Sequence, residues 1–80
     1  MDKKDLISNL LKEVNYPGLT RDIVSFGIVK NISAADSKVV ILLELPKEDQ
    51  KIAKEISVGI NNAFSREGLE LPELEFAVYQ

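Results

Sequence analysis

Pro17 and Gly18 stand between two different hydrophobic periods, and that boundary limits the possible folds more than any other feature of the chain. Before it, Leu6, Ile7, Leu10, Leu11 and Val14 recur at the i, i+3, i+4, i+7 spacing of one helical face. After it, from Ile23 to Ile32, the residues are mostly β-branched or aromatic, with Phe26, Ile28 and Ile32 on one face of a strand and Val29 and Asn31 on the other. Tyr16-Pro17-Gly18-Leu19 suits a type II turn, proline setting φ at the second position and glycine supplying a positive φ at the third. The chain should therefore begin with an amphipathic helix of about three turns. Asp2 and Asp5 lie near its positive end, and it must stop before the turn.

Ala34-Ala35-Asp36-Ser37 reads as a polar turn, and beyond it Val39, Ile41, Leu43 and Leu45 alternate with Val40, Leu42 and Glu44. This is the clearer strand, since Lys30 interrupts the first one, and so short a connection makes the two a hairpin. Pro46 suits the first position of a second helix, with Glu48 and Asp49 in its first turn. The apolar face of that helix is Ile52, Ala53, Ile56, Ile60, Ala63 and Phe64; Gly68 ends it and Pro72 prevents its resumption. Leu74, Phe76 and Val78 then alternate with Glu75, Ala77 and Tyr79 as a third strand. The order α-β-β-α-β defines an α+β two-layer sandwich, a mixed three-stranded sheet with both helices on one face and the last strand parallel to the second. Leu10, Val14, Ile41, Leu43, Ile56, Ile60 and Phe76 are the expected core.

Eighty residues make one domain, 1–80, near the size at which a single core supplies only ~3–5 kcal/mol. The chain has no cysteine and no histidine, which excludes thiolate nucleophiles, Cys/His zinc sites, disulfides and a histidine general base. Without a leader or a long apolar run it reads as cytoplasmic, with no membrane partner. Thirteen acidic residues against ten scattered basic ones give a net charge of -3, a poor match to nucleic acid. A KH-type RNA module would need a basic Gly-x-x-Gly loop, which is missing, as are glycine-rich phosphate loops and Gly-x-Ser-x-Gly elbows. Carboxylates remain, and an enzyme or small-ligand binder using Asp22, Glu48 and Asp49 is the alternative to a binding module.

Two surfaces carry the binding hypothesis. Gly27 inside an apolar run suggests a bulge that bends the first strand and presents the loop from Tyr16 to Phe26, including Thr20, Arg21, Asp22 and Ser25, to a partner. Arg21 and Asp22 could form a local ion pair there. A sheet covered on one face should also be polar on the other, yet Val40 and Leu42, with Val29, Ala77 and Tyr79, leave an apolar surplus. The candidate interface is Tyr16, Thr20, Arg21, Asp22, Ser25, Phe26, Val40, Leu42 and Tyr79, with no catalytic, cofactor-binding or metal-binding residue.

Val14-Asn15-Tyr16-Pro17-Gly18, followed by Asp22-Ile23-Val24-Ser25-Phe26-Gly27-Ile28-Val29, resembles the helix-to-strand junction of iron-sulfur assembly domains related to PaaD. It is most similar to the version at the N-terminus of Mrp/ApbC-type P-loop ATPases. In those domains the junction reads roughly Val-x-Asp-Pro-Glu, a spacer, then Asp-Ile-Val-x-x-Gly-Leu-Val. Members proposed to act directly on clusters also carry a cysteine in a Ser/Thr-Pro-x-Cys-Pro segment at the start of the second helix. Here Tyr16 and Gly18 replace the acidic residues, and Leu45-Pro46-Lys47-Glu48-Asp49 replaces the cysteine segment. The resemblance implies a non-catalytic accessory domain, free-standing or the leading part of a longer ATPase. Iron-sulfur cluster and ATP would then be met only through a partner or downstream domain. Expected partners are a P-loop ATPase domain in cis or trans and iron-sulfur assembly proteins or apoproteins; homodimerisation stays open.

Overall fold

A computed structural model describes residues 3–35 and 38–78. Asp2, Asp36, Ser37 and Tyr79 lie outside the described residues, and Ala34 and Ala35, expected in the turn, are instead paired strand residues facing Val39 and Lys38. Helix α1 (Lys3–Leu11) is shorter than its apolar period. Its tail tightens into i→i−3 bonds, the Glu13 and Val14 N–H groups donating to the Leu10 and Leu11 carbonyls at 3.0 and 3.1 Å. Ile7, Leu10, Leu11 and Val14 are buried, whereas Leu6, expected on the same face, is 41% exposed at its margin.

Strand β1 (Val29–Ala35) pairs antiparallel with β2 (Lys38–Leu45), and β2 pairs in parallel with β3 (Glu73–Val78), giving the order β1-β2-β3. The parallel third strand is as expected. The first strand is not, because Ile23–Gly27 forms turns and pairing begins only at Val29. The expected bulge also moves: Val29 faces Leu43 while Asn31 faces Leu42, so Lys30 is the extra residue. Facing residues share a side of the sheet, so Val29 lies on Leu43's covered side and leaves the apolar surplus predicted for the open face.

Helix α2 (Gln50–Arg66) starts four residues beyond Pro46. Asp49 is its N-cap, in an extended conformation, and its Oδ1 accepts from the Lys51 and Ile52 N–H groups at 3.1 and 3.2 Å. A carboxylate that satisfies two otherwise unpaired amides defines a helix start better than a proline that merely tolerates one. Replacing Asp49 by alanine should cost about 1 kcal/mol by chemical denaturation, and an unchanged midpoint would deny the cap its role. Gly68 ends the helix as predicted, its N–H donating to Ser65 O and that of Leu69 to Phe64 O.

The core lies between the sheet and the two helices. Ile7, Leu10, Leu11 and Val14 meet Ile41, Leu43 and Leu45 of β2 and Ile56, Ile60, Ala63 and Phe64 of α2 in one cluster. Gly59 lets α2 pack closely on the segment that follows α1: a Cβ there would stand 3.0 Å from Val14 Cγ1. Of the expected core residues only Phe76 is wrong, for it lies on the edge strand and is 36% exposed. No helix among the described residues is long and apolar enough to cross a membrane.

Candidate functional site: a self-bonded loop and an open sheet face

The chain between α1 and β1 is organised by bonds within itself. The Ile23 N–H donates to Val14 O at 2.9 Å and the Tyr16 N–H to Arg21 O at 3.0 Å, flanking a bridge between Asn15 and Asp22. Tyr16-Pro17-Gly18-Leu19 closes the far end as expected, with Leu19 N–H donating to Tyr16 O at 3.0 Å and Gly18 at φ +83°.

Asp22 then begins a single helical turn. Its Oδ2 accepts from the Val24 N–H at 3.1 Å and the Ser25 N–H at 2.9 Å, while its carbonyl accepts from Phe26 at 3.0 Å. Gly27 ends the turn at φ +86°, with Gly27 N–H donating to Val24 O and Ile28 N–H to Ile23 O. These are the two bonds that close a helix through a left-handed residue, and they explain the glycine without a strand bulge. Asp22 therefore aims at its own backbone, not at Arg21. The Ser25 amide, followed by the Ser25 hydroxyl, holds its carboxyl below the ordinary value of 3.8.

A group whose folded pKa is depressed contributes stability above its unfolded pKa and loses it as pH falls through the folded one. In a pH titration the Ser25 and Val24 amide resonances should therefore move with a midpoint below 3.8. A midpoint at or above that value would mean the carboxylate does not hold the turn.

Ile23 anchors the loop in the core, fully buried, and Tyr16, Val24 and Phe26 pack against the core as partly buried neighbours. The Tyr16 and Phe26 rings are 4.8 Å apart and inclined at 43°. Leu19, Thr20, Arg21 and Ser25 are left on the outside. The Glu44 N–H donates to Ile28 O at 2.8 Å, fixing the loop to the last part of β2.

Val40 and Leu42 lie on the other side of the sheet, half-buried, with Ser33 and Asn31 facing them on β1 and Glu73 and Glu75 on β3. Glu44, the next residue of that row toward the loop, is 3.7 Å from Lys30 Nζ. The structure thus brings Tyr16, Thr20, Arg21, Asp22, Ser25 and Phe26 into one loop and sets Val40 and Leu42 on a separate face. Of the carboxylates weighed for catalysis, Asp22 and Asp49 bind backbone amides of different segments. Held below its ordinary value, the Asp22 carboxyl is badly matched to proton transfer near neutrality.

One feature had no forewarning in the periodicity. An apolar cleft of about 780 Å³ opens between α1 and the segment after α2, lined by Leu6, Ile7, Val39, Phe64, Leu69 and Leu71, with Lys38 Nζ and Glu73 Oε2 paired at 3.0 Å on the rim. The only signal was the apolar pair Leu69 and Leu71 in a stretch that Gly68 and Pro72 mark as a connection.

The two layers, the capped loop and the hairpin make this a small α+β domain of α-β-β-α-β order, and comparison with known proteins identifies its family. Residues 4–64 match the family described as iron-sulfur cluster assembly protein, and the chain belongs to that family. It is 33% identical over 69 residues to an iron-sulfur cluster carrier protein of Helicobacter pylori (strain ATCC 700392 / 26695). That alignment takes in 86% of this chain but only 19% of the carrier's length. Among solved structures, the DUF59 domain of unknown function from Bacillus anthracis superposes with a TM-score of 0.76 at 25% identity, over 95% of this chain and 73% of that one.

Proposed function

We infer that this chain is a non-catalytic, protein-binding domain of iron-sulfur cluster assembly or transfer, working beside a P-loop ATPase domain in cis or in trans. One observation carries this reading: a member of an iron-sulfur assembly family that contains neither cysteine nor histidine. Clusters are held by cysteine thiolates, in some cases with histidine, and nucleotide phosphates in P-loop ATPases by a glycine-rich loop that this sequence lacks, so both chemistries belong to another domain or protein, in the cytoplasm. The short share of the carrier's length that the chain matches supports the same division of labour.

The outward residues Thr20, Arg21 and Ser25, on a loop that its own hydrogen bonds hold rigid, form the proposed contact surface, together with Val40 and Leu42 of the open face. Anaerobic reconstitution followed by desalting should leave no stoichiometric iron and sulfide on the isolated chain. A retained cluster with a visible charge-transfer band would overturn the reading. When an isotope-labelled sample is titrated with the ATPase domain or an assembly protein, amide shifts should gather at Arg21, Asp22, Ser25 and Val40. Shifts confined to the outer surfaces of α1 and α2 would move the contact elsewhere.

A further inference from the structure

Leu74, Phe76 and Val78 face the helix side of the sheet, opposite Ile41, Leu43 and Leu45 of β2. Those β2 residues are buried, yet Phe76 is 36% and Val78 39% exposed. As the outer member of the order β1-β2-β3, strand β3 also has one backbone edge without a strand partner among the described residues. Natural edges are commonly blunted by charged side chains, lysine above all, by proline, a bulge or a covering segment. Glu73–Val78 carries two glutamates, both on the open side of the sheet, but neither lysine nor proline, and it runs in unbroken register with β2.

We propose that β3 is a homodimer interface, two copies joining edge to edge in antiparallel fashion with Phe76 facing Phe76 of the second copy, so that the two sheets form one of six strands. The strand's own pattern selects this register. Centred on Phe76, Leu74 faces Val78 and Glu75 faces Ala77, so apolar meets apolar on the helix side and no two of these carboxylates oppose each other. Centred on Glu75, the two Glu75 side chains would face each other, a destabilising like-charge pair. A slip by a single residue would turn the apolar row toward the wrong side of the partner sheet.

A second copy is the favoured occupant because the apolar row Leu74, Phe76 and Val78 meets itself in this register while each Glu75 is set opposite Ala77 rather than its own copy. The strand is about 20 Å long, and an edge of that length two layers deep offers on the order of 600 Å² per copy, below the ~800 Å² of a standard interface. The dimer is accordingly weak and concentration-dependent. Its interface is distinct from the loop and does not depend on the proposed function.

Sedimentation equilibrium of the chain alone, from micromolar to millimolar concentration, tests the assignment. The average mass should rise from one chain toward two. Phe76→Glu should abolish the rise, Ala77→Lys should strengthen it by setting a lysine opposite Glu75 twice, and Leu42→Ser should leave it unchanged. The absence of native cysteine adds a test of register that does not depend on how Phe76→Glu folds. Facing Cα atoms of an antiparallel pair are about 4.5–5.5 Å apart, within disulfide reach, so F76C should cross-link under mild oxidation. L74C should not, because the two copies of position 74 would be roughly 13 Å apart. Absence of self-association, cross-linking of L74C equal to that of F76C, or loss of association in Leu42→Ser but not Phe76→Glu would each overturn the proposal. None of these measurements involves an iron-sulfur partner, so failure here leaves the loop assignment standing.

Discussion

Replacing Ile56 by alanine is expected to cost about 2–5 kcal/mol, the usual range for deleting a large aliphatic side chain from a packed site. Ile56 is fully enclosed in the cluster that joins α2 to α1 and the covered face of β2, so the atoms removed leave a cavity lined from three elements. A core of this size supplies only ~3–5 kcal/mol, so the variant should be largely unfolded at ambient temperature. Urea denaturation measures the effect. A loss below ~0.5 kcal/mol would mean that Ile56 makes no core contact of consequence.

Ile23→Ala should be nearly as severe, at about 2–4 kcal/mol, although its residue lies in no helix or strand. Ile23 is buried, its N–H closes on Val14 and its carbonyl receives the bond from Ile28, so one side chain secures both the entry and the exit of the loop. The loss should be accompanied by collapse of the ring-current shifts between Tyr16 and Phe26, whose tilted contact depends on the same anchor. Retention of those shifts together with a stability loss under ~1 kcal/mol would show the loop to be held by other means.

The two sites also show where sequence patterns suffice. Strand β2 was legible because its burial alternates without a break from Val39 to Leu45, and period two carries that information directly. The proline-glycine turn and the Gly68 stop were legible because each rests on a backbone conformation that few residues favour. The stretch Ile23–Gly27 was not, since its β-branched residues favour a strand while Asp22 and Gly27, five residues apart, favour one capped helical turn. Caps at both ends of so short a segment outweigh propensity, because they satisfy amides that a strand would have had to pair elsewhere.

The start of α2 was misplaced for a related reason: Pro46 is compatible with a helix start, but Asp49 bonds to two of its amides. Phe76 illustrates a different gap. Alternation assigns a side chain to a face of the sheet, and whether anything covers that face at the edge depends on the extent of the opposing layer. That the loop residues of the candidate site share one segment was legible, but their separation from Val40 and Leu42 followed from register and could not be read from spacing.

The parallel pairing of β2 with β3 also sets an order of events. Synthesis delivers α1, the loop, the hairpin and α2 before it delivers Glu73, and β1 can cover its side of β2 through a short connection. The other side waits for a strand that must return across the whole of α2, and closing such a long connection is slower than closing a hairpin. Until then the most apolar run of the chain, Val39-Val40-Ile41-Leu42-Leu43, has an open backbone edge. The strand that protects it is the last to arrive, so nascent and refolding chains are most vulnerable to aggregation in that interval.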